Sequence, residues 1–257
     1  METVLYHGGC NDGFCAAWLM HKVFPNAKFL AVSYGAPPPV VHGDVYVVDF
    51  HFSYDEMMLM LQTCNTIMTI DHHKTTEVLL NMKHDRLGLM YRENRSGAQL
   101  TFDYLAARYL MRDHWLIRYT ADRDLWRHAL PHTHEITAAI SSYPHIFEVW
   151  DSFDFDKMVA DGAAILRYKN QLVQRIVDHA AETEIAGHRV LEVNTPIFQS
   201  EVCEILGQGR AFGVAYYTNR DHQVCYSLRS KTTDVRAIAE QFGGGGHTQA
   251  AGFVVNP

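Results

Sequence analysis

The sequence predicts an α/β protein: an N-terminal doubly wound, mainly parallel sheet, joined by helices to a smaller C-terminal α/β unit. Three observations lead there. Over the first 75 residues, short apolar runs alternate with segments of helical spacing, which is how strands separated by helices build a parallel sheet. From about 96 to 185 the pattern is helical. After Ala186-Gly187 strand-like runs return, followed by a helical segment and a GGGGH loop. The expected division is a domain over 1–150, a connecting helix over 151–186 and a second domain over 187–257.

Taken in order, TVLYHG is a short apolar strand ending in Gly-Gly, and GFCAAWLMHKVF has apolar residues at helical spacing. KFLAVSYG is a second strand, stopped by Gly-Ala-Pro-Pro-Pro at 35–39. DVYVVDF is β-branched throughout its centre, as a strand buried on both faces should be. SYDE forms a capping box, Ser53 as N-cap with Glu56 three residues on, and opens the helix DEMMLMLQ. TIMTI is a further strand running into DHH. The helical region comprises SGAQLTFDYLAARYLM, WLIRYTADRDLW and a long element through ILRYKNQLVQRIVDHAAETE. HRVLEVN, AFGVAYYTN and QVCYSLRS are the later strands, and VRAIAEQF the later helix.

Composition narrows the function. With 257 residues, 47% hydrophobic and 20% charged, the chain can bury real cores. A formal charge of −7 argues against a broad basic face gripping long duplex nucleic acid, yet leaves room for a local cationic pocket. Five scattered cysteines without C-x-x-C spacing predict neither a disulfide framework nor a structural zinc site. No apolar run reaches the roughly 18 residues of a membrane helix, and METVLYHGG begins a strand rather than a leader. These features predict a cytoplasmic protein with no membrane partner.

The chemistry concentrates at strand ends. HGGCNDG, Asp49 of VVDFHFS and Asp71-His72-His73 of DHHKT each fall at or just past the end of a different strand, where doubly wound sheets bind ligands. Carboxylates and imidazoles converging there suit Mn²⁺, Mg²⁺ or Fe²⁺ better than zinc. Asp49 is the natural bridging ligand between two ions, with His7 and Asp12 from the first strand and His72 from the fourth. A further carboxylate comes from ADRDLW, as Asp122 or Asp124. Each residue also has an ordinary structural role open to it: His7 as a loop residue, Asp12 as N-cap of the helix beginning at Gly13. Adjacent imidazoles ending a buried strand have no packing role, and that joint pattern favours a metal site.

HGGCNDGFCAAW, VVDFHFS, DHHKT, NRSGA, ADRDLW and GGGGHTQAAGF occur in this order across nearly the whole chain. Together they resemble the DHH/DHHA1 phosphoesterases, nearest the oligoribonuclease and cyclic-nucleotide phosphodiesterase branch. The resemblance implies metal-dependent hydrolysis of phosphodiester or phosphoanhydride bonds, with two Mn²⁺ ions (or Mg²⁺ or another divalent ion). It implies a DHH catalytic domain and a DHHA1 substrate-binding domain facing each other across a cleft. His7 and Asp49 match the first metal's ligands. Asp12, Asp49, His72 and Asp122 match the second's, with Asp124 as the fallback. His73 matches the residue contacting the scissile phosphate, and His73, Asp12 and Asp49 form the expected catalytic set. Many relatives carry Asp where this chain has Cys10. A thiolate is a poor partner for Mn²⁺, so Cys10 is expected not to be a strong ligand and the first metal to be held more weakly.

For the substrate, Gly243 to Gly246 are expected to expose successive N–H groups as an anion nest, with Gly244, Gly245 and Gly246 as donors and His247 adding a side chain. Arg229 matches a DHHA1 position that reaches the phosphate, its alternative being a surface Arg on an edge strand. Ser96, with Arg95, stands at a helix start that favours an anion, or is a plain N-cap. The expected activity is a phosphodiesterase converting short oligonucleotides or cyclic (di)nucleotides to mononucleotides. The alternatives are a phosphomonoesterase on bisphosphorylated nucleotides or polyphosphate, and a non-catalytic nucleotide-binding protein. Oligomeric state is left open between monomer and homodimer.

Overall fold

The computed structural model describes residues 2–256 and divides into two compact units, 1–166 and 167–257. In the first, β1 (Glu2–His7), α1 (Asn11–Val23), β2 (Lys28–Val32), β3 (Gly43–Val48), α2 (Tyr54–Met60), β4 (Cys64–Asp71) and β5 (Leu87–Tyr91) alternate. Helices α3 (Gly97–Tyr109), α4 (Trp115–Asp124), α5 (Thr133–Ile140), α6 (Phe147–Asp151) and α7 (Phe155–Val177) follow, and the unit boundary falls inside α7. The sheet is parallel throughout, in the order β2-β1-β3-β4-β5. Its direction of travel reverses between β1 and β3, so the carboxyl ends of β1 and β3 open a crevice at the switch point.

Alternate residues of each strand feed two cores. Val4, Val48 and Ile70 pack with α1, α3 and α4 on one face, while Leu5, Val45, Val47 and Ile67 pack with α2 on the other. Helix α1 is buried continuously from Asp12 to Met20, because α3, α4 and α6 cover the side turned away from the sheet. The capping box at Ser53 forms as expected, with the Ser53 hydroxyl accepting the Glu56 N–H and the Glu56 carboxylate accepting the Ser53 N–H. LGLMY, read as no element in the sequence, is the edge strand β5.

The second unit is a mixed six-stranded sheet in the order β10-β11-β9-β8-β7-β6. Its strands are β6 (Ala181–Ile185), β7 (His188–Asn194), β8 (Gly213–Thr218), β9 (Val224–Arg229), β10 (Gly245–His247) and β11 (Ala250–Val255), with helices α8 (Gln199–Leu206) and α9 (Val235–Glu240). The long helix expected to run through AETE stops at Val177 instead, and AETEI pairs antiparallel with His188–Asn194. Ala186 (φ 52) and Gly187 (φ 79) both adopt left-handed backbone, the geometry of a tight hairpin. Strand pairing there overrides the helix preference of Ala and Glu. Among the described residues no helix is long and apolar enough to cross a membrane.

Candidate metal centre

Three adjacent strands deliver the site: His7 ends β1, Asp49 follows β3, and Asp71 ends β4 with His72 and His73 just past it. The turn after β1 is tight because Gly13 lies against the His7 backbone, where a Cβ would come within 2.4 Å of the carbonyl oxygen. Asp12 does not cap its own helix as one reading expected. Cys10 holds that N-cap position, and the Asp12 carboxylate instead accepts the N–H groups of Gly97 (2.6 Å) and Ala98 (3.1 Å) at the start of α3. Ser96 is buried and caps α3 with Gln99, so it serves that helix start as a structural cap. Gly97 itself packs on Asp49, and a Cβ there would lie 2.4 Å from the Asp49 Cβ.

Asp49 is the centre of the arrangement. It is 1% exposed, holds a left-handed backbone (φ 54) and has no hydrogen-bond donor for either carboxylate oxygen. Its nearest polar neighbours are His7 Nδ1 at 3.5 Å and His72 Nε2 at 3.3 Å. His72 Nε2 is also 3.8 Å from Asp12 and 3.5 Å from Asp124. Donor atoms thus fall into three overlapping groups: His7, Cys10 and Asp49; Asp49, His72 and His73; Asp12, His72 and Asp124. A buried carboxylate with no aligned hydrogen bond and only two imidazoles at 3.3–3.5 Å is costly unless a cation completes it, and left-handed backbone at a non-glycine residue is strain tolerated at functional positions. Oxygen and nitrogen donors around a shared Asp fit hard divalent cations.

The protonation pattern points the same way. Burial pushes the Asp12 carboxyl up, and the charges of Asp49 and Asp124 push it further. Burial raises Asp124 too, against the pull of His72. Burial also opposes ionisation of Asp49, but His7, His72 and His73 outweigh it and hold that carboxyl below its ordinary value. His72 is raised despite its burial, through Asp49 and Asp124. Crowded carboxyls thus compete for the same imidazoles, and two of the three are pushed toward their neutral forms.

Asp122 is not part of this cluster, which corrects the ligand set drawn from the sequence. Its carboxylate accepts the N–H groups of Ala129 (3.0 Å) and Leu130 (3.2 Å) and the Thr133 hydroxyl (2.5 Å), tying down the loop after α4. Two residues on a helix differ by about 200° in direction, so Asp124 is the one facing His72. His73 stands beside the cluster with Nδ1 2.7 Å from Asp71, which is fully buried and also accepts the Thr76 hydroxyl. Asp71 as orienter of His73, and Gly97 and Ala98 as holders of Asp12, were not singled out from the sequence. Both were visible there, as the first letter of DHH and the glycine of NRSGA.

A cleft of about 390 Å³ lies against the cluster, lined by Cys10, Asn11, Asp12, Arg123, Asp124, Trp126 and Ser141 among others. That volume is in the range of small-ligand sites. The Arg123 guanidinium stacks 4.2 Å over the Trp126 ring, and Trp126 is 71% exposed.

The residues expected to hold substrate from the second unit are placed as follows. Arg229 lies on β9, an inner strand rather than an edge, and donates to the Leu228 carbonyl (2.8 Å) and the Ser200 hydroxyl (3.0 Å). The glycine run is not a nest of four free donors. The N–H groups of Gly243 and Gly244 close α9 on Glu240 and Ala239, at 3.1 and 2.9 Å. Gly244 is required by close approach, since a Cβ would meet the Gly252 carbonyl at 2.2 Å. Gly245, Gly246 and His247 form β10, paired with β11.

A two-unit α/β chain with a carboxylate and imidazole centre at the ends of parallel strands is the class that fold and site define. No protein-family model matches the sequence. A relative from Acanthamoeba polyphaga mimivirus, the uncharacterized protein R106, is 28% identical over 98% of this chain and 67% of its own length. Among solved structures, a pGpG-specific phosphodiesterase from Vibrio cholerae superposes with a TM-score of 0.61 at 10% identity, over 99% of this chain and 92% of that one. RecJ from Thermus thermophilus in complex with Mn²⁺ superposes at 0.55 and 12% identity, over 99% of this chain and 49% of RecJ, so the chain spans about half of that protein. The chain has the fold of the DHH/DHHA1 phosphoesterases.

Proposed function

We propose that the chain is a metal-dependent phosphodiesterase that hydrolyses short oligonucleotides or cyclic (di)nucleotides to mononucleotides. The observation that carries this is Asp49, a buried carboxylate with no aligned hydrogen bond to either oxygen, set between the imidazoles of His7 and His72 and flanked by Asp12 and Asp124. The likeness in fold to a phosphodiesterase acting on pGpG, and to a RecJ in complex with Mn²⁺, supports it. His7, Asp12, Asp49, His72 and Asp124 would hold the cations, which when bound neutralise phosphate charge and acidify water.

The protein's own groups supply the rest. Gly97 and Ala98 fix the Asp12 carboxylate so that it faces His72. Asp71 holds His73 through Nδ1 and favours its protonated form against the effect of burial. The other ring nitrogen is then an N–H donor for a non-bridging phosphate oxygen, where charge builds as the P–O bond breaks. Arg123 and Trp126 offer a cation and a ring face at the cleft wall for the remainder of a nucleotide. A formal charge of −7 suits short substrates better than long nucleic acid. Hydrolysis of a 5′-phosphorylated diribonucleotide with Mn²⁺, comparing wild type with His72→Ala, tests the reading. Mononucleotide from wild type alone supports it; no product from this substrate, from cyclic dinucleotides or from other short oligonucleotides removes it.

A further inference from the structure

The donor groups sharing Asp49 differ in one atom type. Asp12, His72 and Asp124 offer carboxylate oxygen and imidazole nitrogen, whereas His7, Cys10 and Asp49 add a sulfur. The donor atoms of these last three lie within 4.8 Å of one another. Cys10 stands at the N-cap of α1 in extended backbone (φ −117°, ψ 134°), where the first turn of a helix favours a thiolate. Both of its companions are short of partners. The Asp49 oxygens and His7 Nδ1 are buried with no hydrogen bond, and Asp49 is 1% exposed. Cys15, Cys64 and Cys203 are buried in the cores and Cys225 lies on β9 of the second unit, so Cys10 is the partly exposed thiol at this edge of the sheet.

We propose that Cys10 is itself a metal ligand, so that His7, Cys10 and Asp49 form a thiophilic position selecting Zn²⁺, Fe²⁺ or Co²⁺, beside a hard position for Mn²⁺ or Mg²⁺ at Asp12, His72 and Asp124. The centre is then an unequal pair, not two copies of one site. Thiolate donors select softer ions than carboxylates do, and three protein ligands with an open position is the build of catalytic zinc sites. This replaces the expectation that Cys10 stands aside and weakens the first site. It rests on the metal-dependent reading above, and the experiment separates the two.

Metal-free protein is titrated anaerobically with Co²⁺ and followed by absorbance. Wild type should show a near-ultraviolet sulfur-to-cobalt charge-transfer band along with visible d–d bands. Cys10→Ser and Cys10→Asp should lose the near-ultraviolet band and keep the d–d bands of the oxygen and nitrogen position. Zn²⁺ affinity of Cys10→Ser should fall by at least ~10-fold, the loss that even outer partners of a ligand cause. A second measurement needs no variant: Zn²⁺ should slow iodoacetamide alkylation of Cys10 in wild type, read by peptide mass, while Mg²⁺ should not. Visible bands without a sulfur band, or a sulfur band that survives Cys10→Ser, overturn the thiolate ligand and leave a metal site standing. No uptake of Co²⁺ or Mn²⁺ by calorimetry overturns both.

Discussion

Replacing Asp122 and Asp124 one at a time separates folding from metal binding, because two acids of one motif do different work. The Asp122 carboxylate is 5% exposed and accepts from Ala129, Leu130 and Thr133. Asp122→Ala removes the charged acceptor of the Ala129 and Leu130 N–H groups, two bonds worth roughly 1.5–3 kcal/mol each, while the Thr133 hydroxyl keeps the Leu130 carbonyl as an acceptor. Water entering the vacated space recovers part of this, so about 3 kcal/mol is the working figure. At about 2–4 °C per kcal/mol for a chain of this size, Tm should drop by about 6–12 °C. Mn²⁺ affinity should be nearly unchanged. Asp124→Ala should do the reverse, keeping or raising the Tm measured in EDTA by relieving the crowding of carboxylates around Asp49, and weakening Mn²⁺ on the order of 10–100-fold or more. Differential scanning fluorimetry with EDTA or Mn²⁺, and calorimetric Mn²⁺ titration, read both effects. Loss of Mn²⁺ binding in Asp122→Ala at unchanged EDTA Tm, or wild-type affinity in Asp124→Ala, would refute the assignment.

Three more outcomes are expected. Gly97→Ala drives a Cβ to 2.4 Å from that of Asp49; it should cost about 1–3 kcal/mol as overpacking and weaken Mn²⁺, read by melting and calorimetry together. Asp71→Asn should lower kcat about 10²-fold through loss of the protonated His73, with Mn²⁺ affinity retained; a loss of affinity instead would make Asp71 part of the metal site. The third concerns pH. The raised carboxyls of Asp12 and Asp124 cost the metal-free fold stability as they ionise, a cost that grows as pH rises from about 4 through their folded values. The raised His72 contributes stability that is full below about pH 6.5 and lost above its folded value. Asp49, lowered, acts in the opposite sense only below about pH 4. The site's contribution to metal-free stability should therefore fall between about pH 5 and 8, while His114, His128 and His145, held below their ordinary values by burial, pull the whole-chain Tm the other way up to about pH 6.5; the gain in Tm on adding Mn²⁺ should be larger at pH 8 than at pH 6, and equal gains would contradict this.

Much of the first unit was legible in the chain. TVLYH, VYVVD and TIMTID read as strands because they are short apolar runs, most strongly β-branched in VYVVD, and their polar ends read as ligands because a parallel sheet collects such ends on one edge. Ser53 read as a cap from Glu56 three residues on, and it is one; Ser96, expected at a helix start either to meet an anion or to cap, caps α3. Elements whose identity depends on a distant partner were not legible. AETEI has helix-forming letters and is a strand because His188–Asn194 lies beside it. Gly244 and Gly246 resemble an anion loop, yet they are glycines because β11 passes too close for a side chain.

The sequence alone determined that carboxylates, imidazoles and a thiol would gather at the carboxyl ends of parallel strands, since strand period and chain direction are local properties. Only the tertiary structure decided which side chains meet. Asp124 rather than Asp122 faces His72, Asp12 is held by the start of α3 rather than by its own helix, and Cys10 stands within ligand distance of His7 and Asp49. The physical reason is rotation and approach. A residue's direction around a helix is fixed by how that helix packs, and a partner 85 residues away in sequence enters only once α3 has docked beside Asp12.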